Sequence, residues 1–236
     1  MAGKIEGFVR EVARFGYEVA VNGYAERIVR ERFLQAVDEQ VNIRPRFIES
    51  EKNTLRSDGA VICELGSETL QQLREEGKSF LRLFDGGERL LNTSTKLTEV
   101  AIYPQRLRFF VPNSNWKNFD RQLCMIYEDG KELRKRLRLP SITQIMPEAI
   151  DLAQIIFQHP EAAKYLKSNK YADREIRTIT PVQTESDAYT ARVKIFEEGR
   201  LDVTVCNIRP GNPFIWVPRI IVPRRHPKGI GNSLIL

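Results

Sequence analysis

The chain has 236 residues, 42% hydrophobic and 29% charged, with a net charge of +6, the composition of a globular protein of one large domain or two small ones. Its longest apolar stretches, 214–217 and 220–222, are cut by Pro218 and Pro223 and fall short of the roughly 20 residues that cross a bilayer, which excludes a transmembrane helix. Cys63, Cys124 and Cys206 are odd in number and form no C-x-x-C pair, which argues against a disulfide framework or a zinc site; buried free thiols in a reducing compartment are expected.

The N-terminus carries Lys4 and Glu6 with no uninterrupted apolar core of roughly seven residues, so no signal peptide is expected. Gly is third rather than second, which argues against myristoylation; a cytoplasmic location is expected. Residues 5–24 admit two readings. Ile5, Phe8, Val9, Val12, Val19 and Ala20 recur at helical steps. Gly7, Gly16 and Gly23 weaken a helix, and a hairpin around Gly16 is the alternative. The helix is favoured. From Ala25 the spacing of Ile28, Val29, Phe33, Leu34 and Val37 predicts helix more plainly.

The middle of the chain reads mostly as strand. Residues 41–48 contain Pro45 and suit an edge or irregular segment. Residues 60–65 form a short strand, followed by a helix capped by Ser67 and running through Leu70 and Leu73. Residues 80–84 lead into a tight turn at Asp85-Gly86-Gly87 and a returning strand from Arg89. Residues 100–103 and 106–111 are strands on either side of Pro104, and 112–118 is a loop. Beyond it, Asp129-Gly130 predicts a hairpin between strands 123–127 and 133–139.

Pro147 then starts a helix through Ile150, Ala153, Ile156 and Phe157, and a second short helix follows over 163–166. Residues 176–180, 189–196, 201–208 and 214–222 read as strands, with Glu198-Gly199 turning between the middle two. Strands in runs with segregated helices predict an α+β fold, mainly antiparallel, with an N-terminal helical segment and a basic C-terminal tail. The expected division is 1–118, 119–223 and a tail from 224 to 236.

Enzyme motifs are weak. The Asp85 turn and Gly229-Ile230-Gly231 lack the spacing of a P-loop or a dinucleotide fingerprint. Asp58 and Glu64 bracket a short strand and could share one face, as a metal-dependent nuclease would need, but no lysine follows where such a site wants one. A turn and cap role suits them better. His159 and His226 sit beside prolines and do not resemble an oriented catalytic base. No catalytic residue, metal or cofactor is expected.

Charge carries the functional signal. Lys131, Arg134, Lys135, Arg136 and Arg138 against Glu132 give a net +4; Arg200, Arg209, Arg219, Arg224, Arg225 and Lys228 against Asp202 give +5. The rest of the chain is therefore −3. On a strand, Arg134, Arg136 and Arg138 would share one face at a spacing of about 6.6–6.8 Å, near the phosphate repeat of a nucleic acid. Tyr127, Phe214 and Trp216 lie close enough in sequence to stack bases, Tyr127 and Trp216 being preferred.

The expected function is non-enzymatic binding of a phosphate backbone within a larger assembly. Arg134, Lys135, Arg136, Arg138, Arg219, Arg224, Arg225 and Lys228 would supply the charge. The partner would be nucleic acid, DNA or RNA, or another polyanion, with further protein subunits allowed and no membrane. The alternatives are an assembly subunit without nucleic-acid contact, its apolar C-terminus docked on a neighbour, and a metal-dependent nuclease.

Overall fold

The computed structural model describes residues 34–36, 39–40, 42–84, 88–160, 175–183, 188–196, 199–209 and 211–225. The expectations for 5–24, 163–166, the turns at 85–87 and 229–232, and Lys228 with the tail beyond 225 lie outside the described residues.

Strands β1 (Val61–Glu64), β3 (Glu99–Ile102), β4 (Ile142–Ile145) and β9 (Ile220–Pro223) form an antiparallel sheet in the order β1-β3-β9-β4. Every residue of β3, β4 and β9 is buried. Alternation along a strand sends neighbours to opposite faces, and here both faces are covered. Val100, Ile102, Ile145, Ile220 and Val222 join one core with α6 (Ala149–Gln158), while Ala101, Ile142 and Ile221 meet Leu55 of α1 (Glu49–Ser57) and Leu133 of α5 (Phe119–Leu137). Strands from both sides of residue 118 pair in this sheet.

The second sheet runs β2-β7-β6-β5-β8, from β2 (Phe80–Leu83), β5 (Glu175–Gln183), β6 (Ala188–Ile195), β7 (Leu201–Asn207) and β8 (Ile215–Trp216). Its inner pairs are antiparallel and its two edges parallel. Ala191, Val193, Ile195, Leu201 and Val203 point into the core that holds α6. That helix is buried without a break from Ala149 to Ile156, its two polar residues in that stretch, Asp151 and Gln154, being satisfied by Thr95, Glu148 N and Gly66 N. Helices alternate with strands from β1 to β5, but no two strands joined by a helix pair in parallel, and with two mainly antiparallel sheets the fold is α+β.

Several elements differ from the sequence reading. The helix after β1, α2 (Leu70–Glu75), is capped by Thr69 rather than Ser67: the Thr69 hydroxyl accepts from Gln72 N at 3.2 Å. No strand returns from Arg89; α3 (Glu88–Asn92) stands there, and β2 pairs in parallel with β7. Residues 106–109 are the helical turn α4 (Arg106–Phe109), and only Phe110 makes a bridge, to Pro218. The last predicted strand divides at Pro218 into β8 and β9, which serve different sheets. Of the segment expected over 41–48, the described residues 42–48 are irregular, with one bridge from Ile43 to Arg224.

The largest difference is α5, which replaces the predicted hairpin with 19 helical residues. Phe119, Leu123, Ile126, Gly130, Leu133 and Leu137 recur at alternating steps of four and three, one continuous helical stripe. Asn118 caps the start, its side-chain oxygen accepting from Arg121 N at 3.0 Å. Gly130 is not a turn residue. A Cβ placed on it would lie 3.3 Å from both N and Cβ of Gln144, so glycine lets the helix backbone close on β4. Each buried Leu, Ile or Phe of the stripe contributes about 1.5–3 kcal/mol against exposure, which outweighs the weak helix propensity of one glycine.

Candidate nucleic-acid interface

The C-terminus of α5 and the end of β9 are brought together by strand register. Arg138 ends the helix in a left-handed conformation, φ 55°, and Leu139 N bonds back to Arg134 O at 3.1 Å. The chain turns through Pro140 into β4, whose first residue, Ile142, pairs with Pro223 at the end of β9. Arg224 follows directly, its N donating to Ser141 O at 2.7 Å. The result is an open depression of about 360 Å³ lined by Arg134, Lys135, Arg138, Pro140 and Arg224. Four of the cations read from the two basic segments therefore meet.

Beneath them lies Glu39, almost fully buried. Its two carboxylate oxygens face Arg224 Nη2 at 3.1 Å and Arg134 Nη1 at 3.5 Å. Arg134 also donates to Thr143 Oγ1 at 3.0 Å. Burial lowers the pKa of the Arg134 guanidinium; the Glu39 carboxylate opposes that and the charge of Arg224 adds to it. Among the described residues, one acid against four cations leaves a local surplus of +3, larger than the roughly half negative charge of a helix C-terminus. The side chains of Lys135 and Arg138 are exposed at the rim.

The other predicted contacts lie elsewhere. Arg136 does not share a face with Arg134 and Arg138, because i and i+2 diverge on a helix; it binds Asp58 through Nη1 at 2.5 Å and Nη2 at 2.9 Å. Arg219 forks onto Asp129 at 2.7 Å from both Nε and Nη2 and also donates to Arg108 O, tying the start of β9 to α5. Arg225 is exposed beside Arg224, its Nε donating to Ile43 O at 3.1 Å. Lys228 lies outside the described residues.

Neither preferred stacking residue presents an open ring. Tyr127 is half-buried against the core around Leu123 and Ile126, with Lys131 Nζ 5.5 Å from its ring. It borders a larger depression of about 560 Å³ along α5, where Arg121 and Lys131 are interleaved with Glu128, Asp129 and Glu132. Trp216 is half-buried in the main core, 5.8 Å from Phe110. Among the described residues, the exposed aromatic rings are Trp116 and Phe214. Glu39, Trp116 and the Arg138 backbone were not singled out from sequence as site features. Only the short Asn-rich stretch around Trp116 signalled one of them.

Asp58 is engaged by cations. It follows α1, and its carboxylate accepts from Arg136, from Arg108 Nη2 at 2.5 Å and from the Tyr103 hydroxyl. Burial pushes its pKa up, but the hydrogen bonds from Arg136, Tyr103 and Arg108 and the charge of Arg108 outweigh that and hold it at about 2. Burial and the Asp58 carboxylate push Tyr103 up to about 12. Glu64 is exposed, with Arg46 3.7 Å away. Comparison of the chain with protein-family models, curated proteins and solved structures returns no match.

Proposed function

We propose that this chain is a non-enzymatic component that holds the phosphate backbone of a nucleic acid, with Arg134, Lys135, Arg138 and Arg224 as the electrostatic contacts. The observation that carries this reading is the meeting of the two basic segments at one depression with a surplus of +3. Local positive potential of this kind attracts phosphate irrespective of sequence. Arg138 adds to the support. A residue with φ near +55° at a helix end is usually glycine, and an L side chain held there costs about 1–2 kcal/mol. An arginine kept at that cost, its side chain exposed on the rim, suits a contact better than a cap.

The test is binding of fluorescent single strands and duplexes, DNA and RNA, by the full chain across a salt series, with and without magnesium. Affinity that falls steeply with salt, and less steeply in the Lys135→Glu/Arg138→Glu double variant, is the expected result. Absence of binding at low salt would leave the assembly-subunit reading in its place. Cleavage in the magnesium lanes that disappears in Asp58→Asn would replace it with the nuclease reading.

A further inference from the structure

Trp116 and Phe214 stand on two loops that are locked together at the start of α5. Trp116 N donates to Asn212 O at 3.0 Å and Asn115 Nδ2 to Pro213 O at 3.3 Å. Gly211 is needed for the closeness of the loops: a Cβ there would lie 2.3 Å from Trp116 O. The layer beneath is anchored in the second sheet and the helix. Gln122 Nε2 donates to Ser114 O at 2.8 Å and Ile215 O at 3.1 Å, Val217 N donates to Ser114 Oγ at 3.2 Å, and Glu175 N donates to Phe214 O at 2.8 Å. Ser114, Gln122 and Ile215 are buried.

On this rigid base the two rings are turned outward, Trp116 63% and Phe214 47% exposed. Trp116 has φ 60°, a backbone state that bulky residues rarely take. Two large rings held in water by ordered backbone are pre-organised for a flat partner. The chemistry around them selects which. Residues 112–117 and 209–214 contain Lys117 and Arg209, the asparagines Asn113, Asn115 and Asn212, and no acid; half-buried Asp120 and exposed Arg121 follow in the first turn of α5. Cations with amides and aromatic faces suit unstacked bases and their phosphates. A lipid surface would call for an amphipathic aliphatic face, whereas here the two rings are set among amides.

We infer that the Trp116–Phe214 loop pair is a stacking platform for the bases of single-stranded nucleic acid. It rests on the phosphate-binding reading and adds to it a preference for single strands over duplex, because bases paired in a duplex do not offer their faces. The platform and the basic depression lie at opposite ends of α5, roughly 28 Å apart along a 19-residue axis, so they can be altered independently.

The experiment titrates the full chain at low salt with an oligo-dT single strand and with a duplex of equal length, reading fluorescence anisotropy and tryptophan quenching. Trp116→Asn, a residue that tolerates the left-handed backbone, and Phe214→Ala are compared with wild type after their thermal melts confirm folding. Each variant is expected to lose roughly tenfold in affinity for the single strand and to stay within about twofold for the duplex; the quenching should vanish in Trp116→Asn although Trp216 remains. Single-strand affinity unchanged in both variants overturns the platform while salt-dependent wild-type binding leaves the phosphate reading standing. Equal losses for strand and duplex, or Trp116-dependent binding to phosphatidylserine vesicles with indifference to oligo-dT, also overturn it. Wild type that binds neither nucleic acid at low salt overturns both.

Discussion

Arg134 on α5 and Arg224 after β9 share one buried carboxylate, that of Glu39. The acid both secures the fold locally and reduces the charge of the depression, so the two roles separate on substitution. Glu39→Gln removes the neutralising charge from two partly buried guanidiniums and is expected to cost about 1–3 kcal/mol, less than a fully buried pair because both arginines reach solvent. The same change raises the local surplus from +3 to +4. Affinity for a single strand at low salt should rise several-fold, as read by anisotropy under conditions where the variant is folded. Unchanged or weaker binding would place these arginines outside the binding surface.

Arg138→Gly should move stability and binding in opposite directions. Glycine relieves the left-handed C-cap and is expected to stabilise the protein by about 1 kcal/mol in urea denaturation. Loss of the cation should weaken nucleic-acid binding and make the salt slope shallower by roughly 0.7–0.9. Added stability with unchanged affinity would reduce Arg138 to an unfavourable cap.

Asp58 gives an acid-side prediction with a definite sign. Its folded pKa of about 2 lies below the ordinary 3.8, so its contribution is complete above pH 4 and is lost as pH falls from about 4 to 2. Allowing for solvent screening, that contribution is about 1–2 kcal/mol. Denaturation at pH 7 should show Asp58→Asn less stable by this amount, with the difference closing by pH 2. Arg136→Glu should likewise destabilise while leaving binding nearly intact, since Arg136 faces Asp58 and not the depression. A constant difference from pH 7 to pH 2 would show that the Asp58 carboxylate is not held by its cations.

Asp151 should act in the opposite direction. It is buried in the first turn of α6, accepting from Glu148 N at 2.8 Å and from the Thr95 hydroxyl. Burial first, then the Glu148 charge, push its pKa up to about 7. Between about pH 4 and 7 the folded state holds a proton that the unfolded chain has released, so stability falls as pH rises through that window and levels off above it. Asp151→Asn keeps an acceptor for Glu148 N and should remove the decline, gaining on the order of 1–3 kcal/mol over wild type at pH 8. Parallel pH profiles for the two proteins would refute this.

The elements legible in sequence were those whose pattern is local. Val193 and Val203 alternate on paired strands, and Ile150, Ala153 and Ile156 mark a helix, because the residues that set the period also face the core. The edges of the second sheet were not legible: β2 and β8 find partners far along the chain, and parallel pairing leaves no turn signal. The charge blocks were visible, yet their division into Asp58, Asp129 and Glu39 pairs and an open remainder depends on where the helix faces point. The strand assumption placed Arg136 beside Arg134 and Arg138; on a helix Arg136 turns away, and register brings Arg224 in its place.

Gly130 shows why the Asp129-Gly130 pair misled. A glycine before a basic run has two physical uses, a positive φ in a turn or room for a neighbouring backbone, and only the structure separates them. Here the second applies, which yields a prediction opposite to helix propensity. Alanine in place of glycine inside a helix ordinarily gains about 1 kcal/mol. At this position the new methyl would meet Gln144 N and Cβ at 3.3 Å, and the strain of forcing α5 away from β4 is about 1–3 kcal/mol. Gly130→Ala is therefore expected to lower stability by up to about 2 kcal/mol in urea denaturation. Its effect should extend to the depression, because α5 and β4 carry Arg134 and its partner Thr143. Nucleic-acid affinity should fall with it even at temperatures where the variant is folded. A variant more stable than wild type would mean that β4 yields to the methyl, and that the seam is looser than its contacts imply.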